Sequence, residues 1–207
     1  MSRPEPATTE VVAFYFDPAC PWAWRAADWM RQVRQVRPVE VRWRFFSLEE
    51  INKGDRTVDW EHGRSAPVLR VLALVRRLHG NDAVDRFYAA LGRARFERNQ
   101  PLDDPAVVEA ALEEAGLDRG LRPAALADPS TRDEVLAEHA AVVQHVDAFG
   151  VPTLVLDDGQ GPGIFGPVIS AVPQGEAAGE LWDRVVWLMR QPTFYELKRS
   201  RGQRPAH

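Results

Sequence analysis

The feature that most restricts the fold is the apolar and aromatic run Val11-Val12-Ala13-Phe14-Tyr15-Phe16, which stops at Asp17-Pro18. Such a run bounded by a turn signal predicts a buried strand. A helical pattern follows almost at once, with Trp22, Ala26, Trp29, Met30, Val33 and Val36 at helical spacing. Pro38 lies where a helix stop is expected. Val39, Val41, Trp43 and Phe45 then alternate with Glu40, Arg42 and Arg44, which predicts a second strand with one polar face. Strand, helix and strand in this order form a βαβ unit, because parallel neighbours need such a crossover.

From residue 65 to about residue 148 the pattern is helical almost throughout. Ser65-Ala66-Pro67 reads as a helix start, with Val68, Leu69, Leu72, Val75 and Leu78 behind it. Further helices are expected over 83–97, 104–115 and 131–149, punctuated by Gly80, Gly116 and Pro129. Two short strands, 153–156 and 164–165, flank a glycine-rich hairpin loop, and a final helix covers 176–189. The order β–α–β, helical block, α–β–β–α is an α/β, thioredoxin-like topology with a helical domain inserted in its middle. Residues 10–64 and 149–200 would form the discontinuous thioredoxin-like domain. Residues 65–148 would form the insert, with its last helix packing on the sheet. Residues 1–9, rich in Pro and Thr, read as a loose arm.

Composition removes several classes of function. The 207-residue chain carries 26 Lys and Arg, all but two of them Arg, against 30 Asp and Glu, for a net charge of −4. The charges are interspersed, so a nucleic-acid surface is not indicated. Aliphatic runs such as 71–75 fall far short of the ~20 residues of a membrane span. The start Met-Ser-Arg-Pro-Glu-Pro lacks the apolar stretch of a signal peptide, so the protein is expected in the cytoplasm. No phosphate-binding glycine loop opens a helix, so a tightly bound dinucleotide is not expected. A single cysteine, Cys20, excludes an internal disulfide and a multi-cysteine zinc site.

Cys20 stands between the first strand and the first helix, followed by Pro21 at a favoured first helical position. At the N-cap its sulfur meets free backbone N–H groups and the positive end of the helix dipole. Both favour thiolate over thiol and should lower the pKa below the free value of about 8.5. A free cysteine is more often an inert buried residue, but the strand-to-helix junction reverses that preference. Pro152, in Gly150-Val151-Pro152-Thr153, immediately precedes an apolar strand. In thioredoxin-like folds a cis-proline there faces the active cysteine and exposes the backbone of the preceding residue, here Val151.

These elements resemble the DsbA-like branch of the thioredoxin superfamily and, within it, the mycothiol-dependent nitroreductase family. The resemblance covers nearly the whole chain. It is carried by Phe16-Asp17-Pro18-Ala19-Cys20-Pro21-Trp22-Ala23-Trp24, Ser47-Leu48-Glu49-Glu50-Ile51-Asn52, Val151-Pro152-Thr153, Phe165-Gly166-Pro167-Val168-Ile169-Ser170, and the stretches 173–183 and 194–199. It implies a low-molecular-weight thiol such as mycothiol as co-substrate, with no tightly bound cofactor and no metal. It also implies a small aromatic or disulfide substrate, which Trp22 could stack against. Asn52 and Trp60 fall where the family forms part of its groove, and His139 where the family also carries histidine.

The departure from the family matters more. Its motif is Cys-Pro-Trp-Cys, and here the second cysteine is Ala23. A two-cysteine enzyme resolves its mixed disulfide with the second thiol, which Ala23 cannot do. A monothiol oxidoreductase is therefore expected, with Cys20 and Pro152 at its centre. A thiol-cofactor isomerase or transferase, similar to 2-hydroxychromene-2-carboxylate isomerase, suits one cysteine as well. A binding protein with a Trp-lined groove is the third reading. Each candidate has a plainer role: Trp22 as hydrophobic cover, Asn52 as a loop cap, Trp60 as packing, His139 as a solvated helix residue and Asp17 as a turn cap. His139 and His145 lie six apart, so they share no helix face for a metal. Oligomeric state has no signature in the sequence.

Overall fold

The apolar run becomes an interior strand. In the computed structural model, which describes residues 9–200, β1 (Glu10–Phe16) pairs in parallel with β2 (Val39–Phe45) and antiparallel with β3 (Thr153–Val155). β4 (Gly163–Phe165) adds antiparallel to β3, giving the order β2-β1-β3-β4. The arm read over 1–9 lies, except for its last residue, outside the described residues. Residues 12–16 of β1 are all buried, whereas β2 alternates buried and half-buried positions as its sequence predicts. The crossover is α1 (Pro21–Val36), whose Ala23, Ala27, Trp29, Met30 and Val33 face the core.

β2 is an edge strand, and its outer side is covered by side chains from the helices. Asn81 accepts from the Trp43 amide at 2.9 Å and donates to the Val41 carbonyl at 2.7 Å. Glu138 accepts from the Phe45 amide at 2.9 Å. An open row of amides and carbonyls would invite another strand, and these contacts close it.

Between β2 and β3 run α2 (Leu48–Ile51), α3 (Ala66–His79), α4 (Asn81–Gly92), α5 (Pro105–Glu114), α6 (Leu121–Ala127) and α7 (Pro129–Val146). α3 is buried along its first ten residues and packs on α4, α6 and α7, while α4 and α7 also reach β2. Pro105 and Pro129 open their helices behind the capping residues Asp104 and Asp128, which accept from the Ala106 and Ser130 amides. The helix expected over 83–97 begins at Asn81 and widens after Gly92 into the π turn Arg93–Glu97. A Cβ on Gly92 would lie 2.2 Å from the Trp24 ring, so only glycine lets α4 approach α1 this closely.

The helix expected over 131–149 ends at Val146, because Asp147 turns left-handed at φ 52°. The strand expected over 153–156 stops at Val155, where Asp157 and Asp158 form a left-handed turn at φ 54°. The last helix, α8 (Glu176–Met189), spans the expected residues and packs on α1. Trp29 donates its indole N–H to the Ala178 carbonyl at 3.1 Å, and Arg37 pairs with Glu176 and Asp183. Among the described residues no helix is long and apolar enough to cross a membrane.

Candidate active site

β1 delivers Asp17 to a buried turn, and three residues later Cys20 is the N-cap of α1, with φ −87° and ψ 113°. Its Sγ accepts from the Ala23 amide at 3.4 Å and, as a thiol, donates to the Val151 carbonyl at 3.4 Å. The two contacts oppose each other. The Ala23 N–H and the helix dipole favour thiolate, while the carbonyl favours the protonated sulfur. Ionisation therefore frees the Val151 carbonyl to accept from another donor.

The Val151–Pro152 peptide is cis, and the loop that carries it is held at both ends. Thr153 Oγ1 donates to the Gly150 carbonyl at 2.7 Å, and the Gly166 amide donates to the Pro152 carbonyl at 2.8 Å. The Phe149 and Phe165 rings lie 4.7 Å apart beside it. Cys20 itself is only 6% exposed, and Trp22 is half-buried against the core. Ala23 is fully buried, its methyl group enclosed by the core beside the start of α1.

Asp17 binds this loop to two other segments. Its Oδ1 accepts from the Ala19 amide at 2.8 Å, and its Oδ2 accepts from the Leu48 amide at 2.8 Å and the Ser65 hydroxyl at 3.0 Å. Its main-chain carbonyl accepts from the Cys20 amide at 3.0 Å. Burial pushes the carboxyl pKa up to about 6, against the lowering effect of these donors. Ser65 starts α3 without capping it; Glu49 Oε1 takes the Ser65 and Ala66 amides at 2.6 and 2.9 Å.

Beside the loop a groove is lined by Ala19, Asn52, Lys53, Arg56, Arg64 and Ser65, among others. Asn52 is on its wall, exposed, with its amide donating to the Leu48 carbonyl of its own turn at 2.8 Å. Trp60 packs against the core instead, and its carbonyl accepts from the buried Arg70 at 3.2 Å. His139 is not a solvated helix residue. It is 7% exposed, its ring lies tilted against Phe46 with centroids 4.4 Å apart, and its Nδ1 accepts from the Ser47 amide at 3.3 Å. The turn after β2 folds back onto α7 and covers it, and this burial lowers its pKa. Among the described residues no cluster of His, Cys, Asp and Glu could hold a metal ion.

Tyr88 was hidden in the apolar stripe of α4. It stacks on Phe16 at 4.0 Å and is fully buried, with no hydrogen-bond partner for its hydroxyl among the described residues. Burial first, then the charges of Cys20 and Asp17, raise its pKa well above 10.

Residues 19–199 match the model of the Rv2466c-like proteins, described as mycothiol-dependent nitroreductase Rv2466c. The chain belongs to this family. It is also 41% identical over 196 residues to the uncharacterized protein Rv2286c of Mycobacterium tuberculosis, covering 92% of this chain and 82% of that protein. Two solved structures share its fold. The cytosolic disulfide reductase DsbM from Pseudomonas aeruginosa with GSH aligns at a TM-score of 0.61 with 15% identity, over 86% of this chain and all of the other (100%). A 2-hydroxychromene-2-carboxylate isomerase aligns at 0.60 with 17% identity, over 87% of this chain and 98% of the other. The architecture is the expected DsbA-like thioredoxin fold, and the Rv2466c-like family is one of thiol-dependent oxidoreductases.

Proposed function

We propose that the protein is a cytoplasmic monothiol oxidoreductase that exchanges disulfides with a small thiol of the mycothiol type. The observation that carries this reading is Cys20 Sγ at the start of α1, 3.4 Å from the Ala23 amide, in a chain whose motif has a buried Ala23 where a second thiol would stand. The Cys20 thiolate attacks one sulfur of a disulfide, a new S–S bond forms, and the departing thiolate takes the old bond's electron pair and a proton from water. A second small thiolate then attacks the substrate-derived sulfur, releasing Cys20 as thiolate and carrying that sulfur off as a new disulfide. Both thiols beyond Cys20 come from solution, so no internal resolving step is required.

The geometry gives each neighbour a role in this reading. The Val151 backbone, on the cis-Pro152 loop, faces the incoming sulfur. Pro21 and Ala23 shape the helix start, and Trp22 presents its remaining exposed edge to an aromatic or nitroaromatic part of the substrate. The groove with Asn52 holds the body of the small thiol, while Trp60 and His139 support its walls from below. Family membership supports mycothiol as the thiol.

Intact mass spectrometry after exposure to the symmetric disulfide of mycothiol, and separately to glutathione disulfide, tests the proposal. One adduct is expected on the protein and none on Cys20→Ser. Equal labelling of both proteins, or no adduct on either, refutes it. Turnover of an aromatic substrate without an adduct and without net redox change would favour thiol-cofactor isomerase chemistry, which a lone cysteine also permits.

A further inference from the structure

We propose that Asp17 is a positioning residue for Cys20: its ionised carboxylate holds the Ala19–Cys20 backbone against α2 and the start of α3, and its protonation slackens that hold. The inference rests on Cys20 being the nucleophile. Every donor to this carboxyl comes from a segment that borders the sulfur or the groove: Ala19 directly before Cys20, Leu48 at the first turn of α2, and Ser65 at the head of α3. The segments are far apart in the chain, so the carboxylate is the point at which they meet.

The surroundings allow two hydrogen-bonded states. Ser65 Oγ lies 3.0 Å from Asp17 Oδ2 and 3.2 Å from Glu49 Oε1, yet the hydroxyl has one proton for the two carboxyl groups. With Asp17 ionised, the hydroxyl donates to Asp17, and Glu49 keeps the Ser65 and Ala66 amides. With Asp17 protonated, its new O–H donates to Ser65 Oγ, and the hydroxyl swings to Glu49. Both states satisfy Ser65, but in the second the Ala19 and Leu48 amides lose a charged acceptor for a neutral, weaker one.

Among the described residues, the groups that act on or adjoin Asp17 come from three elements. Glu49 faces it from α2, Tyr88 of α4 feels both Asp17 and Cys20, and His139 of α7 reaches the Ser47 amide beside Leu48. The carboxyl changes charge near pH 6, with Glu49 acting to hold it protonated. A purely coulombic partner would act in the opposite sense, because neutralising Asp17 would favour the nearby thiolate. The two roles are therefore distinguished by sign.

The test is the pH dependence of Cys20 alkylation by iodoacetamide, which needs no substrate and no turnover. A lone thiol gives a log rate that falls with a slope of about one below its pKa. The positioning role makes the rate fall more steeply below about pH 6, where Asp17 takes its proton. Asp17→Asn should show a single ionisation and react about tenfold more slowly at pH 8, the order expected for losing a charge-assisted hydrogen bond. Should that variant fail to fold, Ser65→Ala removes one donor to the ionised form and should move the steep limb to higher pH. A single-ionisation profile in the unaltered protein, or a faster reaction at low pH, overturns the Asp17 assignment and leaves Cys20 as nucleophile. An ordinary thiol midpoint near about 8.5 overturns both.

Discussion

Asp17 carries a cost that can be measured in stability. Its carboxyl is fully buried and its pKa rises from 3.8 to about 6 on folding, which corresponds to about 3 kcal/mol between the two protonation states. The folded-state pKa lies above the unfolded one, so between about pH 4 and 6 the folded chain binds more protons. Its stability from this group is greatest below the unfolded value and declines as pH rises through the folded one. Asp17→Asn has no proton to lose. The stability of the variant relative to the parent should therefore rise by about 2.5 kcal/mol between pH 4 and 8, on whatever constant offset the amide introduces. Urea unfolding of both proteins at steps of one pH unit measures the difference, with other titrating groups cancelling between them. A flat difference would refute the reasoning. A parent that gains on the variant as pH rises would show that its three donors outweigh desolvation.

Other expectations concern the packing that supports the site. Arg70 is a 4% exposed guanidinium that donates to the Trp60, Ala125, Leu126 and Asp128 carbonyls and to Thr131 Oγ1. Arg70→Met should lower urea stability by about 2–4 kcal/mol, because it takes the side-chain donor from the Leu126 and Trp60 carbonyls and from Thr131 Oγ1, while the Ala125 and Asp128 carbonyls keep Thr131. Gly92→Ala should cost about 1–3 kcal/mol by driving a methyl into Trp24, read as a fall in thermal midpoint. Asn81→Ala should cost about 1–3 kcal/mol by leaving the Trp43 amide and Val41 carbonyl unpaired, and should speed hydrogen exchange along β2 more than along β1.

The sheet's first half was legible because local signals agreed with one another. Val11–Phe16 could only be buried, β2 announced its register by alternation, and Cys20-Pro21 marked the start of α1 by capping chemistry alone. α2 left a weak signal, the spacing Ser47-x-x-Glu50, in which Ser47 Oγ accepts from the Glu50 amide. α6 is seven residues long and contains Pro123 in its first turn, too short for periodicity to show. The contacts around Asp17 were illegible for a different reason. Ser65 is 48 residues away, and neither residue's type specifies the other as partner. His139 likewise reads as exposed on a helix whose apolar stripe is faint, until the turn after β2 closes over it.

The central claim is that Cys20 works alone and that the sulfur which frees it comes from solution. The most direct measurement is the rate at which a pre-formed Cys20 mixed disulfide is released as the concentration of added mycothiol is varied, beside Ala23→Cys. In the unaltered protein the rate should be proportional to thiol and extrapolate to zero without it. Ala23→Cys should add a release that persists at zero thiol, as the new sulfur displaces the adduct. A finite release from the unaltered protein without added thiol would contradict the account.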